Sequence, residues 1–242
     1  MDLGLTGRVA VVTAASKGLG RASALALAAE GARVLVSARS TDLLDGLVAE
    51  VARAGGEAHA VVGDMTDPAV PQRLVEAALE RWGRLDAVVG NAGGPPTGRA
   101  LDVDDDALRA AFDTNALASV RLARAAVPHL VERGWGRVVF IASASVKQPI
   151  PDLALSNTAR TALWAWTKTA AADVAAQGVT INLVCPGLHA TDRLLERGVP
   201  AGARTGSPDD FGRVVAFLCS EPAAFVNGTA VGVDGGATTG LL

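Results

Sequence analysis

Short runs of apolar residues alternate along the whole chain with stretches in which apolar side chains recur every three or four positions. The runs predict buried strands at residues 8–13 (RVAVVT), 33–37 (RVLVS), 58–62, 87–90, 137–142, 180–184 and 230–233. The wider spacing predicts helices at 21–30, 43–54, 68–82, 105–133, 156–177 and 208–220. Gly55-Gly56 ends the second helix, and a proline stands near the start of the third. Residues 105–133 read as one long helix, bent at Pro128. Strands that are apolar at successive positions face water on neither side, which implies a parallel sheet covered by helices on both faces. Strand–helix alternation with right-handed crossovers then gives an α/β, doubly wound parallel sheet. No linker, repeat or low-complexity tract interrupts the alternation, so residues 1–242 are expected to form one domain. The longest irregular segment is 188–207, a candidate flap over a site.

Composition narrows the partners. The net charge of −3 provides no basic field for nucleic acid or a membrane surface. No apolar run reaches the ~18 residues of a membrane span. The N-terminus lacks a basic stretch followed by a long apolar one, so no signal peptide is read there, and a cytoplasmic protein is expected. Cys185 and Cys219 lie far apart and outside any Cys/His cluster. They predict buried, reduced thiols and no metal site. The most telling count is that of tyrosine, which is zero.

The first strand runs into Thr13-Ala-Ala-Ser16-Lys17-Gly18-Leu19-Gly20, and a helix opens there. Glycines at this point let the backbone approach a pyrophosphate, and the helix start presents free N–H groups to it. This is the opening of a Rossmann-type, dinucleotide-binding fold. Further motifs follow at spaced positions: Asp64 after the third strand, Asn91-Ala92-Gly93 after the fourth, Asn115 within Asp-Thr-Asn-Ala-Leu, Pro186-Gly187 after the sixth, and Asp234-Gly235-Gly236.

Together these residues resemble the short-chain dehydrogenase/reductase family, from about Leu5 to Gly236. Among its members, 3-oxoacyl-acyl-carrier-protein reductases are the ones the chain resembles. The resemblance implies a cofactor held by Thr13, Ser16, Lys17, Gly18, Leu19, Gly20, Asp64, Met65, Asn91, Ala92, Gly93, Pro186, Gly187, His189 and Thr191. One departure is Ala14, where the family has a glycine, and φ is expected to stay negative there. NAD binders place an acidic residue after the second strand, to hold the ribose 2′-hydroxyl. Here that position reads Ser37-Ala38-Arg39, so Arg39, with Lys17, is expected to pair with a 2′-phosphate. NADP is therefore the expected cofactor, ahead of NAD.

The chemical end departs further. The resemblance makes Ser143 the residue that holds a substrate carbonyl, with Ser145 as a weaker alternative, and Asn115 the holder of a water relay. A proton-donating Tyr and a ribose-binding Lys are expected thirteen and seventeen residues after Ser143. The chain has Ser156 and Arg160 there. A phenol has a pKa of ~10, whereas an aliphatic hydroxyl lies near water at ~15.7. That gap of roughly 6 pKa units is ~8 kcal/mol, and a neighbouring cation recovers only about 1–3 units. Ser156 is thus a poor acid, while Arg160 can bind ribose hydroxyls but passes no proton on.

His189, in the loop after the sixth strand, is an alternative donor, against the plainer reading of a surface loop histidine. Asp152 reads as a turn carboxylate, Lys147 and Lys168 do not match the family's Lys in spacing, His59 and His129 read as structural, and Trp164 and Trp166 as packing residues. Three functions remain open: an NADP-dependent oxidoreductase acting on a small-molecule carbonyl or alcohol; an isomerase, dehydratase or cyclase on the same fold; or a nucleotide binder without catalysis. Family members assemble through the helices at 105–133 and 156–177, so a homotetramer is expected, with a homodimer next.

Overall fold

The computed structural model describes residues 1–200 and 202–240. Seven parallel strands form one sheet in the order β3-β2-β1-β4-β5-β6-β7. They are β1 Val9–Thr13, β2 Arg33–Ala38, β3 Glu57–Val62, β4 Ala87–Gly90, β5 Gly136–Ile141, β6 Val179–Pro186 and β7 Ala230–Val233. The central strands β1, β4 and β5 are buried at every residue, because helices cover both faces. The edge strand β3 is only partly buried.

Helices α1 (Gly18–Ala29), α2 (Thr41–Arg53) and α8 (Pro208–Leu218) cover one face, around Leu27, Leu44, Leu47, Phe211 and Val215. Helices α3 (Val70–Trp82), α5 (Ala118–Glu132) and α6 (Ala154–Val174) cover the other, around Leu74, Leu122, Leu130, Phe140 and Leu163. Trp164 and Trp166 pack against that second core. His59 meets the edge of Trp82, a packing role as expected. Cys185 and Cys219 are free and buried. No described helix is long and apolar enough to cross a membrane.

The long helix expected at 105–133 is two helices. Helix α4 (Asp105–Phe112) passes through a π-helical turn, Asp113–Leu117, into α5. The break is not at Pro128, which sits inside α5. A π turn adds one residue to a helix without changing which residue types it favours, so apolar spacing does not reveal it. The first helix starts at Gly18 rather than Arg21, and the flap segment contains a further short helix, α7 (Asp192–Arg197).

The N-terminal end of the sheet is locked by charge. Asp86, wholly buried just before β4, accepts hydrogen bonds from Arg84 Nε (2.8 Å) and Nη2 (2.6 Å), Val9 N (2.8 Å) and Arg8 Nη1 (3.2 Å). Arg137 at the start of β5 is equally buried and donates to the carbonyls of Ser220, Gly136 and Gly178. The Trp135 ring is stacked by the guanidinium groups of Arg8 (3.8 Å) and Arg137 (4.3 Å). This end is closed, and the opposite one is where β1 and β4 diverge in connection. The chain leaves β1 toward β2 and leaves β4 toward β5, which opens a crevice at the carboxyl ends of the two strands.

Burial by itself would raise the Asp86 carboxyl, but the hydrogen bonds from Arg84, Val9 and Arg8 outweigh it and hold its pKa below the ordinary value. A depressed carboxylate pKa contributes stability above the unfolded value, and that stability is lost as pH falls through the folded one. Asp86→Asn is expected to cost about 2–3 kcal/mol at pH 7, near the low end for a broken buried pair because its arginines keep contact with water. Thermal unfolding should show Tm lowered by about 5–10 °C. The gap to wild type should narrow as pH falls below ~4.

Candidate active site

The crevice is built by one turn. After Thr13 the chain reverses through Ala14 and enters α1 at Gly18. Thr13 Oγ1 donates to the Asn91 carbonyl (2.8 Å) and accepts from its N–H (2.9 Å), so a single hydroxyl clasps the ends of β1 and β4. Asn91 Nδ2 donates to the Ala14 carbonyl (3.3 Å). A Cβ on Gly20 would collide with that carbonyl and stand 2.6 Å from Asn91 Nδ2, so only glycine lets α1 approach the turn this closely. Lys17, the residue before α1, is extended and exposed, and its side chain caps nothing. The first-turn N–H groups of α1 therefore face the crevice without a capping side chain. Ser16 and Leu19 are half-buried beside them.

Ala14 departs from expectation. Its φ is +46°, making it the one non-glycine with positive φ among the described residues. The left-handed region costs an L-residue about 1–2 kcal/mol. The turn imposes it nonetheless, through the bond to the Ala14 carbonyl and one from Ala15 N to the Ser37 carbonyl (3.0 Å).

Along the crevice on the β2 side, Arg39 projects into solvent with Nη1 3.8 Å from Asp64 Oδ2. Asp64 is held by the N–H (3.0 Å) and hydroxyl (2.8 Å) of Thr66, and these bonds lower its pKa, with a smaller contribution from Arg39. Met65 packs partly buried against the core. On the β4 side, Asn91 and Ala92 are half-buried and Gly93 is exposed.

At the other end, Ser143 leaves β5 and caps a short helical turn, its Oγ accepting from Ser145 N (3.1 Å). Ser156 and Arg160 lie one turn apart on α6, each only 6 % exposed. Arg160 Nη1 donates to the Ile141 carbonyl (2.8 Å), two residues before Ser143. No carboxylate among the described residues lies within ion-pair distance of Arg160. Burial, and to a lesser degree the charge of Arg193, pulls its pKa down to about 10, so it remains a cation at neutral pH. Asn115 is buried in the π turn; its Nδ2 donates to the Ala111 carbonyl and its Oδ1 is unpartnered. The Ser145 hydroxyl is also buried without a partner. Burial raises the Cys185 thiol, beside the Ser143 backbone, to about 11, so it is no nucleophile.

The flap closes over this end. Pro186 and Gly187 end β6, and Gly187 lies so near Asp234 that a Cβ there would stand 2.8 Å from the Asp234 Cα. His189 is not a surface residue. Its ring is 6 % exposed, lies 5.1 Å from Phe211 on α8 and has Nδ1 3.3 Å from the Gly187 carbonyl. Its described contacts are therefore packing against Phe211 and the Gly187 carbonyl. Thr191 reaches the glycine turn, where a Cβ on Gly18 would stand 3.4 Å from Thr191 Cγ2.

A residue that the sequence patterns missed fastens the flap: Arg193 on α7 donates to the carbonyls of Gly94 (3.0 Å) and Pro95 (3.2 Å), across the crevice. A lone arginine carries no motif. The sequence hint is the Gly93-Gly94-Pro95-Pro96 loop, where two prolines lack backbone N–H groups and the carbonyls must be satisfied from elsewhere.

A crevice at the switch point of a doubly wound sheet, with a glycine turn at one end and a serine at the other, defines a dinucleotide-dependent enzyme class. Comparison with known proteins supports this. The model of a family described as enoyl-(acyl carrier protein) reductase matches residues 13–238. A dehydrogenase/reductase SDR family member 4 from Oryctolagus cuniculus is 34 % identical, covering 98 % of this chain and 96 % of its own. A 3-oxoacyl-[acyl-carrier-protein] reductase from Synechocystis is 36 % identical, covering 96 % and 97 %.

Among solved structures, L-sorbose reductase from Gluconobacter frateurii, complexed with NADPH and L-sorbose, superposes with a TM-score of 0.93 at 30 % identity over 100 % of both chains. A 3-oxoacyl (acyl-carrier-protein) reductase from Agrobacterium tumefaciens, with NADP bound, gives 0.90 at 28 % identity over 97 % of this chain and 95 % of that one. The chain belongs to the short-chain dehydrogenase/reductase family of oxidoreductases.

Two substitutions test the turn. Ala14→Gly relieves the positive φ but adds unfolded-state freedom, for a net gain of about 0.5–1 kcal/mol. Tm should rise by about 1–4 °C with dinucleotide affinity kept. Gly20→Ala should fold but lose dinucleotide binding by titration calorimetry, because the turn must open to admit the methyl.

Proposed function

We propose that this chain is an NADP-dependent reductase of a small carbonyl compound, using a proton donor other than tyrosine. The observation that carries this reading is Ser143, half-buried at the carboxyl end of β5, with the Arg160 guanidinium bonded to the strand end beside it. The residues present fit the cofactor. The turn at Gly18 and Gly20 opens α1 with no capping side chain, which leaves its first N–H groups for a pyrophosphate, and the buried, unpartnered Asn115 Oδ1 is an acceptor awaiting a donor. Thr13, Ser16, Leu19, Asn91, Ala92, Gly93 and Thr191 would line the path, and Pro186 and Gly187 would back the nicotinamide half. Arg39 and Lys17, both exposed, favour a 2′-phosphate, and no carboxylate stands at the end of β2. The NADPH and NADP in related structures agree with this choice.

When bound, NADPH supplies a hydride to the carbonyl carbon. Ser143 Oγ donates a hydrogen bond to the carbonyl oxygen, and Arg160 stabilises the negative charge that develops there. The proton that completes the alcohol comes from solvent, through a water held by Ser156 and Asn115. Ser156 makes no hydrogen bond to the protein among the described residues, so its hydroxyl is available for that contact. His189, tied to Gly187 and Phe211, has no part in it.

Assembly is proposed through α4 and α6. Between them lies an open apolar depression of about 380 Å³, lined by Leu108, Phe112, Leu117, Leu155 and Ala159. A homotetramer or homodimer would cover it.

NADPH consumption with a panel of ketones and aldehydes tests the reading. Turnover is expected, and Ser143→Ala should lower kcat/KM by about 10²-fold. Ser156→Tyr should raise kcat at least about tenfold, by restoring an acid of ordinary phenol pKa. NADPH that binds but is never consumed, with another substrate converted, would support a non-redox enzyme instead. The absence of the phenol is what favours that second reading.

A further inference from the structure

Beside the charge lock at the N-terminal end of the sheet, a second depression opens where β5 and β6 begin. Its volume is about 430 Å³, and Trp135, Arg137, Thr180, Glu221 and Phe225 are among the residues that line it. Cavities that hold small organic molecules span roughly 300–1,000 Å³. This one lies at the opposite end of the strands from Ser143, so the crevice described above does not use it.

Two of its residues carry hydrogen-bonding groups that the protein leaves unused. Arg137 and Thr180 are partners across β5 and β6, and paired residues leave the sheet on the same face, so the two side chains emerge side by side. Arg137 uses Nε and Nη1 on backbone carbonyls, whereas its Nη2 makes no hydrogen bond among the described residues. The Thr180 hydroxyl is buried without a partner. Charge points the same way. No described carboxylate lies within ion-pair distance of Arg137, and Glu221 acts on it only from farther off. That carboxylate already accepts from the Trp135 indole N–H (2.7 Å) and from Arg8 (3.3 Å). The nearby Cys219 thiol, pushed up to about 12 by burial, is neutral. Burial lowers the Arg137 pKa, yet a guanidinium stays charged at neutral pH. Phe225 adds a fully exposed aromatic wall.

We propose that this depression is a second ligand site, for a small monocarboxylate with an aromatic body. Its carboxylate accepts from Arg137 Nη2 and from the Thr180 hydroxyl, two adjacent donors of which one is charged. Its ring lies against Phe225 and covers that exposed surface. Both orphaned groups are then satisfied, which recovers the cost of leaving them unpaired. The site does not depend on the cofactor reading, because it is built at the other end of the sheet.

An NMR titration of the full chain with sodium benzoate, at constant ionic strength, decides the matter. Saturable shifts are expected, with a Kd of about 1 mM or tighter. Benzamide, the neutral counterpart, should bind at least about tenfold more weakly. Thr180→Val removes the hydroxyl and keeps the shape. It should weaken benzoate by about tenfold while the protein stays folded, since a buried hydroxyl without a partner contributes nothing to stability that valine would lose. Ala224→Trp, at the exposed rim of the depression, should block binding. Excess NADPH should displace none of the benzoate. No saturable shift, equal binding of benzamide, or unchanged affinity in either variant would overturn the proposal. Displacement by NADPH would overturn it too, by placing the acid in the crevice beside Ser143. Circular dichroism reports whether Thr180→Val folds; if it does not, benzamide and Ala224→Trp still decide.

Discussion

The joining of β1 to β4 is the constraint on which the rest of the site depends. These strands are neighbours in the sheet but far apart in sequence, and their chain connections run in opposite directions. Their carboxyl ends would be free to splay. The Thr13 hydroxyl prevents this by donating to and accepting from the backbone of Asn91, and the Asn91 side chain extends the clasp to Ala14. Gly20 then allows α1 to close on the same carbonyl. The result is a rigid cradle of backbone N–H groups, made without any charged side chain.

Rigidity at one end is matched by charge at both. Asp86 collects arginines where the sheet begins, and every one of its contacts is compensated. Arg160 lies where the sheet ends and meets no carboxylate among the described residues; its guanidinium bonds to the Ile141 carbonyl instead. The same type of group is neutralised in one setting and, in the function proposed above, acts on a ligand in the other. The difference lies in the partners rather than in the residue. Where the family resemblance expects a Tyr and a Lys, the chain has Ser156 and Arg160, and Arg160, though its pKa is pulled down to about 10, is still a cation at neutral pH. In the function proposed above, charge acts at this end of the sheet and proton delivery is left to water.

The strands and the helix layers on either side of them were legible in the sequence because parallel strands buried on both faces must be apolar at successive residues, and few other structures write that pattern. The glycine turn was legible because Gly18 and Gly20 answer a steric need. Other features are tertiary and left no local trace. The sign of φ at Ala14 is set by Asn91 and Ser37, both distant in sequence. The π turn inserts a residue without altering helix propensity. His189 is buried because Phe211 on α8 packs against it, and a loop position alone does not say so. Arg193 crosses the crevice to two carbonyls, and a carbonyl has no sequence identity to recognise.

The most direct test is a crystal structure of the protein grown with NADPH. The account predicts the pyrophosphate on the N–H groups that open α1, the 2′-phosphate beside Arg39, and the nicotinamide ring over Ser143 with Arg160 in reach of its ribose. A nucleotide lodged elsewhere, or a ring turned away from Ser143 in an otherwise occupied crevice, would contradict it.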